Sequence, residues 1–308
     1  MRIVIVGLGI QGRKRLAVAG SDVVATVDPV VAGAACQQIE QVPLHTFDAA
    51  MVCTPDQTKL DLVRYLLRHE KHVLVEKPLL ASELGQLREL AEMAQVAGVA
   101  CYTAYNHRFE PHIARLKTIL EAGTLGPVYL ARCFYGNGTA AEVKRSPWRD
   151  QGTGVLTDLG SHLLDLVLFF FGAREGRFEL WSANRFENRA FDHVLFGRTG
   201  NPVLALEGAL VSWRNTFTLD IYGERGSAHI HGLCKWGPST LTIRTRVLPS
   251  GRPAEEVQTL ECPDPTWRLE YEHFKRLCQT GGTNLSNDLW ITSVLNELAQ
   301  AVGQEVLS

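Results

Sequence analysis

Two groups of residues have the types and spacing for proton chemistry. Asp158 and His162 are four apart, so on a helix they share one face, and Asp165, three further on, lies near it. Histidine titrates in the range a general acid or base needs, and a carboxylate one turn away can orient the ring and stabilise its charged form. Taking hydride from a carbinol carbon requires such a base for the hydroxyl proton. A bare D-x-x-x-H also fits a capping aspartate with a satisfied core histidine; the apolar run 163–171 behind it says that the helix packs deeply. The second group is Glu76-Lys77-Pro78, at the end of the apolar run 73–75, where open α/β sheets place ligands. A lysine there can hydrogen-bond a substrate oxygen and favour its more anionic state. Pro78 fixes the local backbone and suits a cis bond. An exposed lysine before a proline turn is the other reading of this tripeptide.

A third motif binds rather than reacts. Gly7-Leu8-Gly9-Ile10-Gln11-Gly12 is a G-x-G-x-x-G directly after four β-formers. Gly7 permits the tight turn, Gly9 lets backbone approach a pyrophosphate, and Gly12 lets helix and strand pack closely. The free N–H groups that open the helix, at Ile10 and Gln11, complete an anion site. Asp28 follows about 20 residues on, at the end of the next apolar run, where a carboxylate accepts hydrogen bonds from ribose hydroxyls and repels a 2′-phosphate. NAD is therefore favoured over NADP. Arg13-Lys14-Arg15 reads as a solvated helix face, with one of the three reaching a 2′-phosphate as the alternative.

These residues need elements to hold them. Apolar runs at 2–6, 23–27, 50–53, 73–75 and 99–102 alternate with helical stretches, one of them over 58–69 and another striped by Leu84, Leu87, Leu90 and Ala94. Ser82 can cap that last helix and Gly98 can end it. The alternation means βαβ units and a parallel sheet. After residue 104 the pattern changes to a helix at 110–121, a strand at 128–135, a loop at 136–154, a helix at 158–171, strands from 179 to 260, and helices near 269–278 and 288–302. The reading is α/β: a Rossmann dinucleotide-binding domain over 1–104, then an α+β domain over 105–308 with a large, mostly antiparallel open sheet.

Composition excludes several classes. The 308 residues carry 31 basic against 33 acidic side chains, so nothing points to nucleic acid. No apolar run approaches the roughly 18 residues of a spanning helix, and no secretory signal opens the chain. Seven scattered cysteines without a CxxC pair fit reduced thiols in the cytoplasm. His229, His231 and Cys234 lack a second close ligand pair, so no metal is expected. Trp213, Trp236 and Trp267 show no stacking pattern and suit cores or an oligomer interface.

Taken in order, the motifs resemble the glucose–fructose oxidoreductase, inositol dehydrogenase and MocA family almost end to end. The matches are GLGIQG at 7–12, the turn Cys53-Thr54-Pro55, KHVLVEKPL at 71–79, YNHRF at 105–109, GTLGPV at 123–128, Trp148-Arg149, and the run from Gly152 to Asp165. The resemblance implies an NAD(H)-dependent oxidoreductase acting on a sugar, a sugar derivative or a polyol. It implies further that Thr54, Pro55 and Glu76 adjoin the cofactor. Lys77 matches the lysine that contacts the reacting hydroxyl, His162 the general acid/base and Asp158 its partner. Asn106, Arg108, Trp148 and Arg149 match positions bordering nicotinamide and substrate. The open sheet face implies a homo-oligomer, a dimer or tetramer. Two departures stand out: Lys59 occupies a position that is histidine in many members, and Gly152-Thr153-Gly154 replaces a triple glycine. The loop 136–150, with Lys144, Arg145 and Arg149, suits either solvent or an anionic substrate such as a nucleotide-linked sugar. A non-catalytic dinucleotide sensor on the same fold is the competing expectation, since a transcriptional inhibitor of galactose metabolism has this architecture. A reductase of bilins or C=C bonds fits the Asp/His pair less well.

Overall fold

A computed structural model describes residues 1–146 and 149–303. The first 106 residues start with β1 (Ile3–Val6), α1 (Ile10–Ala19), β2 (Val23–Val27), β3 (Ala49–Val52) and α2 (Asp56–Arg68). They continue with β4 (His72–Glu76), α3 (Leu84–Ala97) and β5 (Cys101–Ala104). The five strands form one parallel sheet in the order β2-β1-β3-β4-β5. Every residue of β1, β3 and β5 is buried, as the unbroken apolar runs require of a parallel sheet covered on both faces. Strand order reverses between β1 and β3, so the turns after these two strands flank the crevice where such sheets take ligands. Helix α3 begins one residue later than its sequence suggests. Glu83 is the N-cap, in a reciprocal pair with Gln86, and Ser82 donates to the same Gln86 side chain.

The chain then runs through α4 (Pro111–Glu121), β6 (Val128–Gly136), α5 (Ala140–Lys144) and α6 (Val155–Phe171). Seven strands follow: β7 (Glu179–Asn184), β8 (His193–Arg198), β9 (Val203–Ala209), β10 (Thr216–Gly223), β11 (Gly226–His231), β12 (Ser239–Thr245) and β13 (Ala254–Leu260). With β6 they make an eight-stranded sheet, β13-β12-β11-β10-β6-β9-β8-β7. All its pairings are antiparallel except β6 with β9. Alternation along the strands divides the sheet. Leu204 and Leu206 of β9, and Val194 and Phe196 of β8, are buried on the face that α6 covers, while Leu195, Ala205 and Tyr222 point the other way and stay partly or wholly exposed. The stretch read as a loop after β6 holds the short helix α5, whose Ala140 and Val143 are buried.

The chain closes with α7 (Thr266–Thr280) and α8 (Leu285–Gln300). Two compact units result: Met1–Asn106 with Thr266–Thr292, and His107–Pro265 with the chain from Ser293. The first unit thus takes back a segment whose sequence position alone puts it with the second. The cause is specific burial, because α7 packs on α1 and carries a wholly buried Glu270 into that unit. No helix among the described residues is long and apolar enough to cross a membrane.

Candidate active site

The glycine turn of the first unit is built as its sequence requires. Gly7 has φ +92°, and a side chain there would meet the Cys53 carbonyl, at the turn after β3. A Cβ on Gly12 would lie 1.8 Å from the Gly7 carbonyl oxygen, so only glycine lets α1 start this close to β1. A Cβ on Gly9 would meet nothing within 4 Å. Its bareness has no packing reason inside the protein and leaves room for a ligand. Arg13 N–H makes the first helical bond, to the Gly9 carbonyl, so the N–H groups of Ile10, Gln11 and Gly12 have no partner within the helix. Helix α1 also has no acidic residue in its first turn to compete for that positive end. Across the turn, Asp28 Oδ2 accepts from Leu8 N–H at 2.8 Å and Oδ1 from Val30 and Val31 N–H at 2.9 Å. Burial alone would raise this carboxyl, but the three backbone donors outweigh it and hold the group below its ordinary range. Asp28 is therefore a fixed carboxylate with acceptor capacity to spare. Pro55 caps α2, and Thr54 accepts a bond from Thr58 at 2.9 Å. These donors, this opening and this carboxylate fit a dinucleotide.

The turn after β4 is clamped on both sides of Lys77. Glu76 is buried and accepts from Arg15 Nε at 2.6 Å, while Arg15 Nη2 donates to Glu270 at 2.6 Å. Arg15 is 1% exposed and stacks over Trp267, 4.4 Å from the ring centroid, which corrects the expectation of a solvated face for this residue, while Arg13 and Lys14 are exposed as expected. Its side chain lies on the side of α1 that meets α7, and a charge buried there is tolerable only because two carboxylates pair with it. Trp267 packs as its composition suggested. On the other side of Lys77, Lys59 is also buried and donates to the Pro78 carbonyl at 2.9 Å and to Asp56 at 2.7 Å. The position that departs from the resembled family thus supports the turn that carries Lys77. The Lys77–Pro78 bond is cis, as Pro78 suggested. Asn106, at the edge of this unit, donates to Thr266 Oγ1 at 3.0 Å.

In the second unit α6 places Asp158 and His162 one turn apart. His162 is 7% exposed, and Asp158 is open enough to meet Arg149, Nη2 to Oδ2, at 3.7 Å. His162 lies in an aromatic cluster: its ring stacks on His107 at 4.3 Å between centroids, and Tyr135 of β6 stands edge-on at 5.7 Å. Burial first, and the neighbouring Asp158 charge second, push the Tyr135 phenol far up, so it stays protonated. Lys235 Nζ lies 2.8 Å from His107 Nε2, and Trp236 packs against Tyr135 at 5.6 Å. Asp165 faces elsewhere. It accepts two-pronged bonds from Arg108, at 2.6 to 3.0 Å, and burial pushes its carboxyl up against that pairing. Arg108, matched in the sequence to a ligand-bordering position, thus has its guanidinium on Asp165 and over Phe169. Trp148 lies outside the described residues. His229 is bonded to Asp220 at 2.6 Å and to Ser227 at 2.9 Å on the face of the sheet opposite α6. Trp213 is 71% exposed.

The structure therefore brings Asp158, His162 and Arg149 together, and adds His107, Tyr135, Lys235 and Trp236, none of which the spacing of the sequence singled out. His107 had a signal, since it stands inside the YNHRF motif. Lys235 had none, because 128 residues separate it from His107.

Comparison with known proteins follows the same division. A family model described as "Oxidoreductase family, NAD-binding Rossmann fold" matches residues 1–105, and one described as "GFO/IDH/MocA C-terminal domain" matches residues 113–229. The uncharacterized oxidoreductase YdgJ of Escherichia coli K12 is 27% identical over 201 residues, 62% of this chain and 57% of that protein. Inositol 2-dehydrogenase 1 of Saccharopolyspora erythraea is 34% identical over 141 residues, 45% of this chain and 39% of that one. The chain spans about half the length of the curated relatives it matches. The solved structure of a levoglucosan dehydrogenase with NADH superposes with a TM-score of 0.82 at 17% identity, covering 100% of this chain and 99% of that one, a likeness of fold.

Proposed function

The chain belongs to the Gfo/Idh/MocA family of oxidoreductases with an NAD-binding Rossmann fold, and from that premise we propose that it moves hydride between NAD(H) and a carbinol or ketone carbon of a sugar, a sugar derivative or a polyol. The cofactor supplies the hydride acceptor in one direction and the donor in the other. In this reading residues 1–104 hold the cofactor: Gly7, Gly9, Ile10, Gln11 and Gly12 take its pyrophosphate, Asp28 its ribose, and Thr54, Pro55 and Glu76 adjoin it. Residues 105–308 supply the substrate side. Relatives named for inositol and levoglucosan support the substrate class.

The observation that carries the reading is the His162–Asp158 pair on a deeply packed helix. His162 takes the hydroxyl proton at an imidazole nitrogen as hydride leaves the carbon, and returns it in reduction. Asp158, one turn upstream, stabilises the charged ring. Lys77, on its clamped turn, hydrogen-bonds a substrate oxygen and favours its alkoxide character. Asn106, Arg149 and Trp148 orient the remaining hydroxyls, with Arg108 acting through Asp165 to hold α6. The cationic run of Lys144, Arg145 and Arg149 suits a substrate with an anionic substituent, such as a nucleotide-linked sugar. We place the enzyme in the cytoplasm, in keeping with its unpaired cysteines, as a homo-oligomer joined through the exposed face of the large sheet.

The test is fluorescence titration with NADH and NADPH, followed by a panel of polyols, aldoses and nucleotide sugars read at the nicotinamide absorbance. NADH binding with turnover of one sugar class supports the reading. NADH binding without turnover across the panel would replace it with the sensor reading.

A further inference from the structure

Beside His162 the structure holds a pairing that proton transfer as described does not use. His107 is 1% exposed, and its ring lies almost parallel to that of His162, 19° between planes. Lys235 Nζ reaches His107 Nε2 at 2.8 Å. An ammonium has only donors, so Nε2 of His107 must accept, which leaves the ring proton on Nδ1 and the ring neutral. Trp236, with its indole 4.5 Å below Nζ, fixes the lysine over its face.

We infer that Lys235, acting through His107, is a positioning residue that keeps His162 neutral and ready to accept a proton. This rests on His162 being the proton-transfer group proposed above. The physical argument is charge at short range. Lys235 puts a positive charge one imidazole away from His162, in a cluster where His107 and Tyr135 are buried and Lys235 and Trp236 half-buried, so that the charge is only partly screened. It also occupies the His107 lone pair, so that His107 has no acceptor left to stabilise a charged neighbour. Other charged and titratable groups among the described residues near His162 have partners of their own. Asp158 favours the charged ring but is itself met by Arg149, Asp165 is paired to Arg108, and Tyr135 stays protonated. Glu110, on the turn below, is taken up by the N–H groups of His112, Ile113 and Cys234. Strands β8 and β9 present Val194, Phe196, Leu204 and Leu206 to α6. Lys235 is thus a cation that opposes Asp158 at this ring through His107, which favours the neutral base over the charged one.

The test is a pH titration of the histidine ring signals by NMR on full-length protein labelled in histidine, with His162→Gln to identify the signal. Lys235→Met should raise the His162 midpoint by about half to one pH unit, and Lys235→Arg, which keeps donor and charge, should restore it. The acid limb of kcat/KM for substrate oxidation should move by the same amount. An unmoved midpoint in Lys235→Met, or an equal shift in both variants, would overturn the inference while leaving His162 as the base. If the midpoint shifts but His162→Gln still turns substrate over, the electrical coupling stands and the role of His162 in the reaction fails.

Discussion

At the scale of single residues, charge is held in place by backbone and by buried partners. Asp28 is fixed by three N–H groups, which hold its carboxyl below the ordinary range and favour its charged form. Replacing it with serine should remove the repulsion toward a 2′-phosphate. We expect Asp28→Ser to tighten NADPH binding by about tenfold, the scale of one short-range charge interaction, with NADH weakened by a similar factor in the same titration. The two residues proposed to act on substrate differ in kind from Asp28, because they should matter only once substrate is present. His162→Ala and Lys77→Met should each lower kcat by about 10²–10⁴-fold, with the NADH Kd unchanged within twofold by fluorescence. Full turnover in both variants would remove them from the chemistry.

At the scale of elements, two glycines of one turn answer to different constraints. Gly12→Ala would drive a methyl into the Gly7 carbonyl and separate α1 from β1, so its Tm should fall by several degrees. Gly9→Ala fills open space, so its Tm should hold while NADH binding weakens at least tenfold. A thermal melt beside a binding titration separates the two. The join between α1, β4 and α7 is a second element-scale device. Burial raises the Glu270 carboxyl to about 7, against the pull of Arg15. Its native value lies above its unfolded value, so the folded state binds the proton more readily. The stability it contributes is present below about pH 4.5 and lost as pH rises to about 7. Melts of the wild type and of Glu270→Gln between pH 5 and 7.5 should therefore converge as pH falls for the proton-linked part, the wild type losing more stability with rising pH by roughly 1–3 kcal/mol. Arg15→Met leaves the Glu76 carboxylate and the Glu270 carboxyl without their shared buried partner and should cost about 3–5 kcal/mol.

At the scale of the whole molecule, the exposed face of the eight-stranded sheet is the feature to test. It presents Leu195, Ala205 and Tyr222 where α6 presents nothing, and a sheet face of that kind is usually covered by another layer. Light scattering should give a mass that is a multiple of 34.1 kDa. Tyr222→Glu, which puts a charge on that face, should reduce it toward the monomer while NADH affinity is kept. A monomeric wild type would leave this face without the role assigned to it.

Local signals in the sequence were enough for the parts whose cause is local. Unbroken apolar runs determined the parallel strands, because such strands are buried on both faces. The glycine turn and Asp28 were legible because sterics and hydrogen bonding act within a few residues of them, and four-residue spacing put Asp158 and His162 on one helical face. Tertiary structure decided what depends on distant segments meeting. Arg15 reads as a surface cation until α7, some 255 residues later, brings Glu270 against it. Lys59 reads as a substituted contact residue until it is found holding the Pro78 carbonyl. Lys235 has no local mark at all, and becomes a neighbour of the candidate base only when the turn after β11 folds against His107. Such pairings depend on burial and on low screening between groups far apart in the chain, and no periodicity or spacing encodes them.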